Sequence, residues 1–175
     1  MSLNLEKYIR EVPDFPKKGI GFKDITTLLK DAEGFKLAVD QLFEQLKDVK
    51  IDAIAVIESR GFPFGSALAY KLGTGLLLVR KPGKLPAQTI RQEYVLEYGT
   101  DALEIHQDAI EPGQNILIVD DLLATGGTAL AVAQLVEKLK GKVAAVAFVV
   151  ELDFLKGRGK LDGYKVVSLV HYQSE

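Results

Sequence analysis

Cysteine is absent from this sequence, methionine occurs once, and histidine occurs only as His106 and His171. With no thiols the chain can form neither disulfides nor thiolate metal centres, a composition that suits a reducing compartment. The two histidines lie far apart along the chain, so a zinc site built from side chains is not expected. Long apolar runs are also missing. The longest, Val143 to Val150, is too short to cross a bilayer. The opening Met1-Ser2-Leu3-Asn4-Leu5-Glu6 lacks the basic-then-apolar pattern of a signal peptide. Neither charge is in large excess. The 22 Lys and Arg against 24 Asp and Glu give a formal net charge of −2, hence no global field that would draw nucleic acid or an anionic membrane. No internal repeat, low-complexity tract or linker is present. With 175 residues, 47% of them apolar and 26% charged, the chain is expected to be one soluble, cytoplasmic domain with a substantial core.

What the sequence does contain is organised around one stretch. Ile116-Leu117-Ile118-Val119 suits a strand buried on both faces, as in a parallel sheet. Asp120 and Asp121 follow, then a small, Gly-rich turn through Ala124, Thr125, Gly126, Gly127 and Thr128. Val132, Leu135, Val136 and Leu139 then recur at i, i+3, i+4, i+7, which predicts an amphipathic helix from about Thr128. A glycine turn feeding a helix N-terminus presents unpaired N–H groups and the positive end of the helix dipole, a setting for a phosphate. Two carboxylates beside such a cradle would repel phosphate unless something between them calls for acceptors or negative charge. Ribose hydroxyls or a hydrated Mg²⁺ fit that description. An Asp-Asp pair alone reads as an ordinary solvated turn; the strand, acid pair, glycine turn and helix together point to a ligand.

Earlier in the chain, Leu5, Tyr8, Ile9 and Val12 predict a short amphipathic helix stopped by Pro13. Residues 13–24 carry two prolines and two glycines and read as a fixed loop, with Phe15 and Phe22 expected to be buried as anchors. A cap at or near Asp31 opens a helix with the stripe Phe35, Ala38, Val39, Leu42, Phe43, Leu46. Ala53 to Ile57 is a second apolar strand, and the turn after it holds Ser59 and Arg60 before a helix through Ala67, Leu68 and Leu72. The Arg60 guanidinium is a fork of donors matched to phosphate oxygens. A third strand, Leu76 to Val79, delivers Arg80-Lys81-Pro82-Gly83-Lys84, a basic loop stiffened by proline. Residues 88–100 are too long for an ordinary connection and read as a mobile hairpin or lid. Ala102 to His106 alternates like a half-buried strand, Gly141 is placed as the C-cap of the central helix, and Val143 to Val150 and Val166 to Val170 are further strands. Between them, Leu155 to Leu161 is a weak helix at best. Strand and helix alternate from residue 35 onward, which predicts an α/β fold: an open, mostly parallel sheet with helices on both faces. Turns at Ser59, Arg80 and Asp120 would then converge at the carboxyl ends of the strands, a site suited to a sugar bearing separated phosphates.

These motifs resemble the type I phosphoribosyltransferases, and Val119-Asp120-Asp121-Leu122-Leu123-Ala124-Thr125-Gly126-Gly127-Thr128 is similar to the adenine-specific branch. The likeness extends through Pro13-Asp14-Phe15-Pro16, Phe22-Lys23-Asp24-Ile25-Thr26, Glu58-Ser59-Arg60-Gly61-Phe62, Arg80-Lys81-Pro82-Gly83-Lys84-Leu85-Pro86, Leu96-Glu97-Tyr98-Gly99 and Glu151-Leu152 with Leu155-Lys156-Gly157. The resemblance implies transfer of the 5-phosphoribosyl group of phosphoribosyl diphosphate (PRPP) to adenine, giving AMP and pyrophosphate. It implies a hood over about residues 1–34 and a core over about 35–175 that includes the loop. Ala124 to Thr128 would hold the 5′-phosphate, and Asp120 and Asp121 the ribose hydroxyls and the charge developing at C1. Ser59, Arg60, Arg80 and Lys81 would take pyrophosphate. Phe22, Lys23 and Leu152 would meet adenine, Lys23 through its backbone, and Glu97 would act from the closed lid. Mg²⁺ would be held mainly by PRPP and water, with no firm protein ligand. A homodimer is expected from the family, since the basic loop can serve a neighbour's site. Two other readings remain at this level: a PRPP-binding regulator without chemistry, and a 6-oxopurine or xanthine phosphoribosyltransferase.

Overall fold

The computed structural model describes residues 4–95 and 99–174. Its centre is a five-stranded sheet in the order β4-β3-β7-β8-β9, with every neighbouring pair parallel. The strands are β3 (Ala53–Ile57), β4 (Gly75–Val79), β7 (Asn115–Leu123), β8 (Lys142–Leu152) and β9 (Val166–Tyr172). Alternation along β3 and β7 sorts the core. Ile54, Val56, Leu117 and Val119 join a cluster with Leu28 of α1 (Thr26–Lys30), Leu42 of α2 (Ala32–Leu46) and Phe64 and Leu68 of α3 (Phe62–Leu72). Ala55, Ile57, Ile116 and Ile118 join the other, with Val132, Leu135 and Val136 of α4 (Gly127–Lys138). Helices therefore cover both faces, as the continuous apolar runs require.

Chain order fixes where a ligand goes. From β3 the chain steps outward to β4, whereas β7 follows on the opposite side of β3 and the chain then steps on to β8 and β9. The carboxyl ends of β3 and β7 thus flank the point at which the winding reverses, the crevice that open α/β sheets use for binding. β4 is the edge strand, with Leu76 and Leu78 exposed on it. Beyond it, β5 (Thr89–Val95) and β6 (Thr100–His106) form an antiparallel ribbon, tied to the sheet edge by reciprocal backbone hydrogen bonds between Arg80 and Glu104. The segment read as a lid begins in this ribbon.

Helix ends follow local chemistry. The Asp31 carboxylate accepts from the Gly34 N–H at 2.8 Å and caps α2 as expected. The end of α4 differs from expectation. Lys140, not Gly141, takes the left-handed conformation, at φ +63°. Gly141 donates to the Val136 carbonyl and Lys140 to that of Glu137, the paired bonds of a Schellman motif. Gly141 is needed there for closeness: a Cβ would lie 2.9 Å from Ile110.

The N-terminal segment, read as a hood, also differs from the sequence reading. The helix expected over Leu5 to Val12 is a 3-10 turn at Leu5–Tyr8, followed by β1 (Arg10–Val12). The loop read over residues 13–24 ends in β2 (Phe22–Asp24), which pairs antiparallel with β1. Apolar spacing satisfies a helical period, but the segment pairs with β2 instead, with opposite charges facing across the ribbon. Arg10 stands opposite Asp24 and Glu11 opposite Lys23. Phe15 is half exposed rather than buried and meets Phe22 edge-on at 5.1 Å.

Arg10 Nε donates to Asp24 Oδ2 at 3.0 Å, and Asp24 Oδ1 accepts from the Thr26 N–H at 2.8 Å. These bonds, Arg10's first, pull the Asp24 carboxyl down from 3.8 to about 2. Because the folded value lies below the unfolded one, the stabilisation is complete above pH 3.8 and is lost as pH falls toward 2. Arg10 is largely exposed, so solvent screening reduces the effect. Asp24→Asn is expected to cost about 1–2 kcal/mol at neutral pH. The gap from the parent should close as pH falls below about 4, read from urea midpoints across that range.

Candidate active site

The pairing of β7 with β8 continues past Val119: Asp120 stands opposite Phe148 and Leu122 opposite Val150. The two acids therefore sit within a strand rather than in the turn after it. Asp121 is buried at 2% exposure and Asp120 is half-buried. Asp120 Oδ1 accepts from the Asp121 N–H at 2.8 Å. Burial, with the neighbouring Asp121 charge added, raises the Asp120 carboxyl well above the usual range. Burial raises Asp121 as well, although Arg60 opposes the rise. The pair's charged partner is Arg60, whose Nε lies 3.0 Å from Asp121 Oδ2. The same guanidinium sits 5.5 Å from the Phe22 ring centre. Residues from the end of β3, from β7 and from the hood thus meet at one point.

Immediately beyond is a cavity of about 160 Å³ lined by Arg60, Asp120, Leu122 to Gly126, Thr128, Ala129 and Phe148. Its floor is the Ala124–Thr128 turn, and α4 starts at Gly127. Gly126 has φ +79°, which a residue with a side chain adopts only under strain. Space forbids a side chain too, since a Cβ on Gly126 would overlap the Gly157 carbonyl oxygen. The relation is mutual, because a Cβ on Gly157 would overlap the Ala124 carbonyl. The turn is backed by bare main chain from the 3-10 segment Gly157–Leu161.

The cationic turns are engaged within the protein. Arg80 Nε and Nη2 each lie 3.3 Å from a Glu58 oxygen, and the Lys81 N–H donates to Glu58 at 2.7 Å. Burial works against the Glu58 charge, but these donors outweigh it and lower its pKa. Lys81 Nζ pairs with Asp101 of β6 at 2.6 Å, which raises the lysine and lowers the acid. Asp101 also accepts from the Tyr94 hydroxyl at 3.3 Å. Tyr94 in turn borders the glycine turn: a Cβ on Gly127 would sit 3.8 Å from its ring. Ser59 is exposed in the turn before α3, and its carbonyl accepts from the Phe62 N–H.

Phe22 is half-buried beside Arg60, whereas the Lys23 side chain turns the other way. Its ammonium is buried, 3.1 Å from Glu11 Oε1 and 4.3 Å from the Tyr172 ring centre. Leu152, half-buried at the end of β8, stands opposite Tyr172 in the β8–β9 register. Glu97 lies outside the described residues. On the alternate face of the same strand ends, Glu151, Asp153 and His171 place three potential metal-ligand atoms within 4.8 Å of one another. Glu151, however, is gripped by Arg158 through bonds of 3.0 and 2.5 Å, so its charge is already neutralised there. A histidine also suits Mg²⁺ poorly, and the Asp120–Asp121 pair, two carboxylates that among the described residues face the Arg60 cation, is the better match for a hydrated hard cation.

An acid pair, a glycine turn at a helix start and two cationic turns lie at these strand ends, and the chain belongs to the phosphoribosyltransferases: residues 26–172 match the Phosphoribosyl transferase domain. Within the family it belongs with the adenine phosphoribosyltransferases. It is 61% identical over 170 residues to that of Clostridium perfringens, covering 97% of this chain and 99% of the relative. The crystal structure of the adenine phosphoribosyltransferase from Thermoanaerobacter pseudethanolicus superposes with a TM-score of 0.93 at 58% identity, covering 97% of this chain and all of that one. The Saccharomyces cerevisiae enzyme, complexed with an imino-altritol bisphosphate and adenine, superposes with a TM-score of 0.88 at 44% identity, covering 94% of this chain and 96% of that one.

Proposed function

We infer that this crevice is where the chain, as an adenine phosphoribosyltransferase of purine salvage, transfers the 5-phosphoribosyl group of PRPP to adenine. The observation that carries the assignment is the meeting of Phe22, Arg60 and Asp121 beside the Gly126–Thr128 turn. The Ala124–Thr128 main chain and threonine hydroxyls hold the 5′-phosphate at the start of α4. Asp120 and Asp121 accept from the ribose hydroxyls and stabilise positive charge at C1 as pyrophosphate departs. Ser59, Arg60, Arg80 and Lys81 receive the pyrophosphate, with Lys81 exchanging Asp101 for a phosphate oxygen. Phe22 and Leu152 flank the base, main-chain groups at Lys23 read its edge, and Glu97 completes the closed site. A bisphosphorylated iminosugar bound together with adenine in the yeast relative is compatible with these subsites. Mg²⁺ supplies charge neutralisation to PRPP when bound, held mainly by PRPP oxygens and water near Asp120 and Asp121. The chain acts as one domain in the cytoplasm, and among the described residues no helix is long and apolar enough to cross a membrane. A homodimer fits the exposed apolar edge, where Leu76 and Leu78 of β4 and the 90% exposed Tyr70 of α3 await cover.

Calorimetric titration of PRPP with Mg²⁺ into the parent and into Gly157→Ala tests the assignment. The added methyl displaces the phosphate turn, so PRPP affinity is expected to fall at least about tenfold, the scale of a sub-ångström misplacement in a fitted site. The KM for adenine should change much less. Unchanged PRPP binding by a folded Gly157→Ala protein would move the phosphate site elsewhere.

A further inference from the structure

Lys23 poses a physical question that the reaction does not answer. Its side chain is 4% exposed, and an ammonium is costly to bury without compensation. The compensation comes from two elements of the fold. Glu11, directly opposite on β1, supplies a carboxylate at 3.1 Å. Tyr172, on the last strand of the core sheet, supplies the face of its ring at 4.3 Å. Burial, with Glu6 and Glu11 adding to it, pushes the Tyr172 phenol up to about 12, so the ring stays uncharged throughout the working pH range.

The positions of these residues matter more than their number. Side chains alternate along a strand, so Phe22 faces the crevice and Arg60 while Lys23, its neighbour, faces the core. Tyr172, which receives Lys23, is the register partner of Leu152. One aromatic ring is therefore in contact with the hood strand that carries Phe22 and paired with the core strand that carries Leu152. Glu11 closes the arrangement from the third side, its carboxylate lying over Gly21, where a Cβ would approach to 3.0 Å. None of the three side chains lines the cavity beside the acid pair.

We propose that Glu11, Lys23 and Tyr172 form a clasp that sets the gap between Phe22 and Leu152 and so fixes the width of the base subsite. The proposal rests on Phe22 and Leu152 being the two walls of that subsite. Lys23 and Tyr172 are then positioning residues for adenine, acting through the backbone of β2 and the register of β8 and β9. The candidate phosphate turn is built by different elements, the end of β7 and the start of α4.

Steady-state kinetics on four single variants and one double variant test this. Tyr172→Leu keeps an apolar side chain but removes the ring face. Lys23→Met keeps the stem but removes the charge. Tyr172→Phe keeps the ring, and Phe22→Ala removes a wall. Tyr172→Leu and Lys23→Met are each expected to raise the KM for adenine roughly tenfold, in line with loss of a desolvated cation–π contact. The KM for PRPP should stay within about twofold, since uniform binding of the other substrate is untouched. Tyr172→Phe should behave as the parent. Combining Tyr172→Leu with Lys23→Met should add little to either alone, the mark of two residues acting through one contact. Equal rises in both KM values, additive effects, or an unchanged adenine KM in folded variants would overturn the clasp. If Phe22→Ala leaves the adenine KM unchanged, the wall assignment fails first and the clasp falls with it. A rise for Phe22→Ala with none for Tyr172→Leu overturns the clasp alone.

Discussion

Replacing Asp120 and Asp121 together by asparagine will lower kcat by about two to three orders of magnitude, the scale for groups that stabilise charge only in the transition state. PRPP binding should weaken by no more than about tenfold. Asparagine matches aspartate in size and keeps the oxygen that accepts from the Asp121 N–H, so the ground-state fit to ribose largely survives. What is lost is negative charge beside C1. Both carboxyls have pKa values raised in the folded chain, by burial first and, at Asp120, by its neighbour. A raised folded value means that the folded state holds protons more tightly than the unfolded chain. The ionised pair therefore works against stability once pH exceeds the unfolded value and progressively up to the folded one. The double variant is accordingly expected to be at least as stable as the parent at neutral pH, a trade of stability for function. Thermal melts and steady-state kinetics on the same protein check both halves. A drop in melting temperature with parallel losses in kcat and binding would return the acids to a structural role.

Base choice carries the other large effect. The kcat/KM for adenine is expected to exceed those for hypoxanthine, guanine and xanthine by at least about two orders of magnitude. A 6-oxopurine needs a donor at O6, and the Lys23 ammonium does not supply one: it is held between Glu11 and Tyr172, away from Phe22 and Arg60. Leu152, at the end of β8, offers none. A main-chain carbonyl accepts from the exocyclic amine of adenine but leaves a keto oxygen unpaired, at roughly 1–3 kcal/mol for each buried mismatch. Two such mismatches reach the stated ratio. A panel of bases assayed with PRPP and Mg²⁺ measures it, and comparable turnover of any 6-oxopurine would remove the base assignment while leaving the phosphoribosyl site intact.

The parts of the molecule that were legible in the sequence are those whose cause is local. Runs such as Ala53 to Ile57 and Ile116 to Val119 announce strands buried on both faces, and Asp31 announces the start of α2 because its carboxylate caps that helix. Arg60, the acid pair and the phosphate turn each declare themselves within a few residues. The hood ribbon was not legible. Its strands are three residues long, too short for any period, and each is defined by pairing with the other across a loop. The same limit hid the continuation of β7 through Asp120 and Asp121, since pairing with β8 rather than side-chain pattern sustains it. Asp101 and Tyr172 escaped notice because nothing beside them in the chain marks them. Topology alone brings one to Lys81 and the other to Lys23.

The back-to-back main chains of Gly126 and Gly157 bear on how this enzyme can be tuned. A pocket wall made of side chains can be trimmed or enlarged one methyl at a time, but here neither glycine can gain an atom without displacing the other's segment. On that side the proposed phosphate subsite would have a fixed depth. Adjustment to a longer or bulkier phosphate ester would have to come from other neighbours of the turn, such as Tyr94 and Val95 beside Gly127, and redesign for altered donors would begin there.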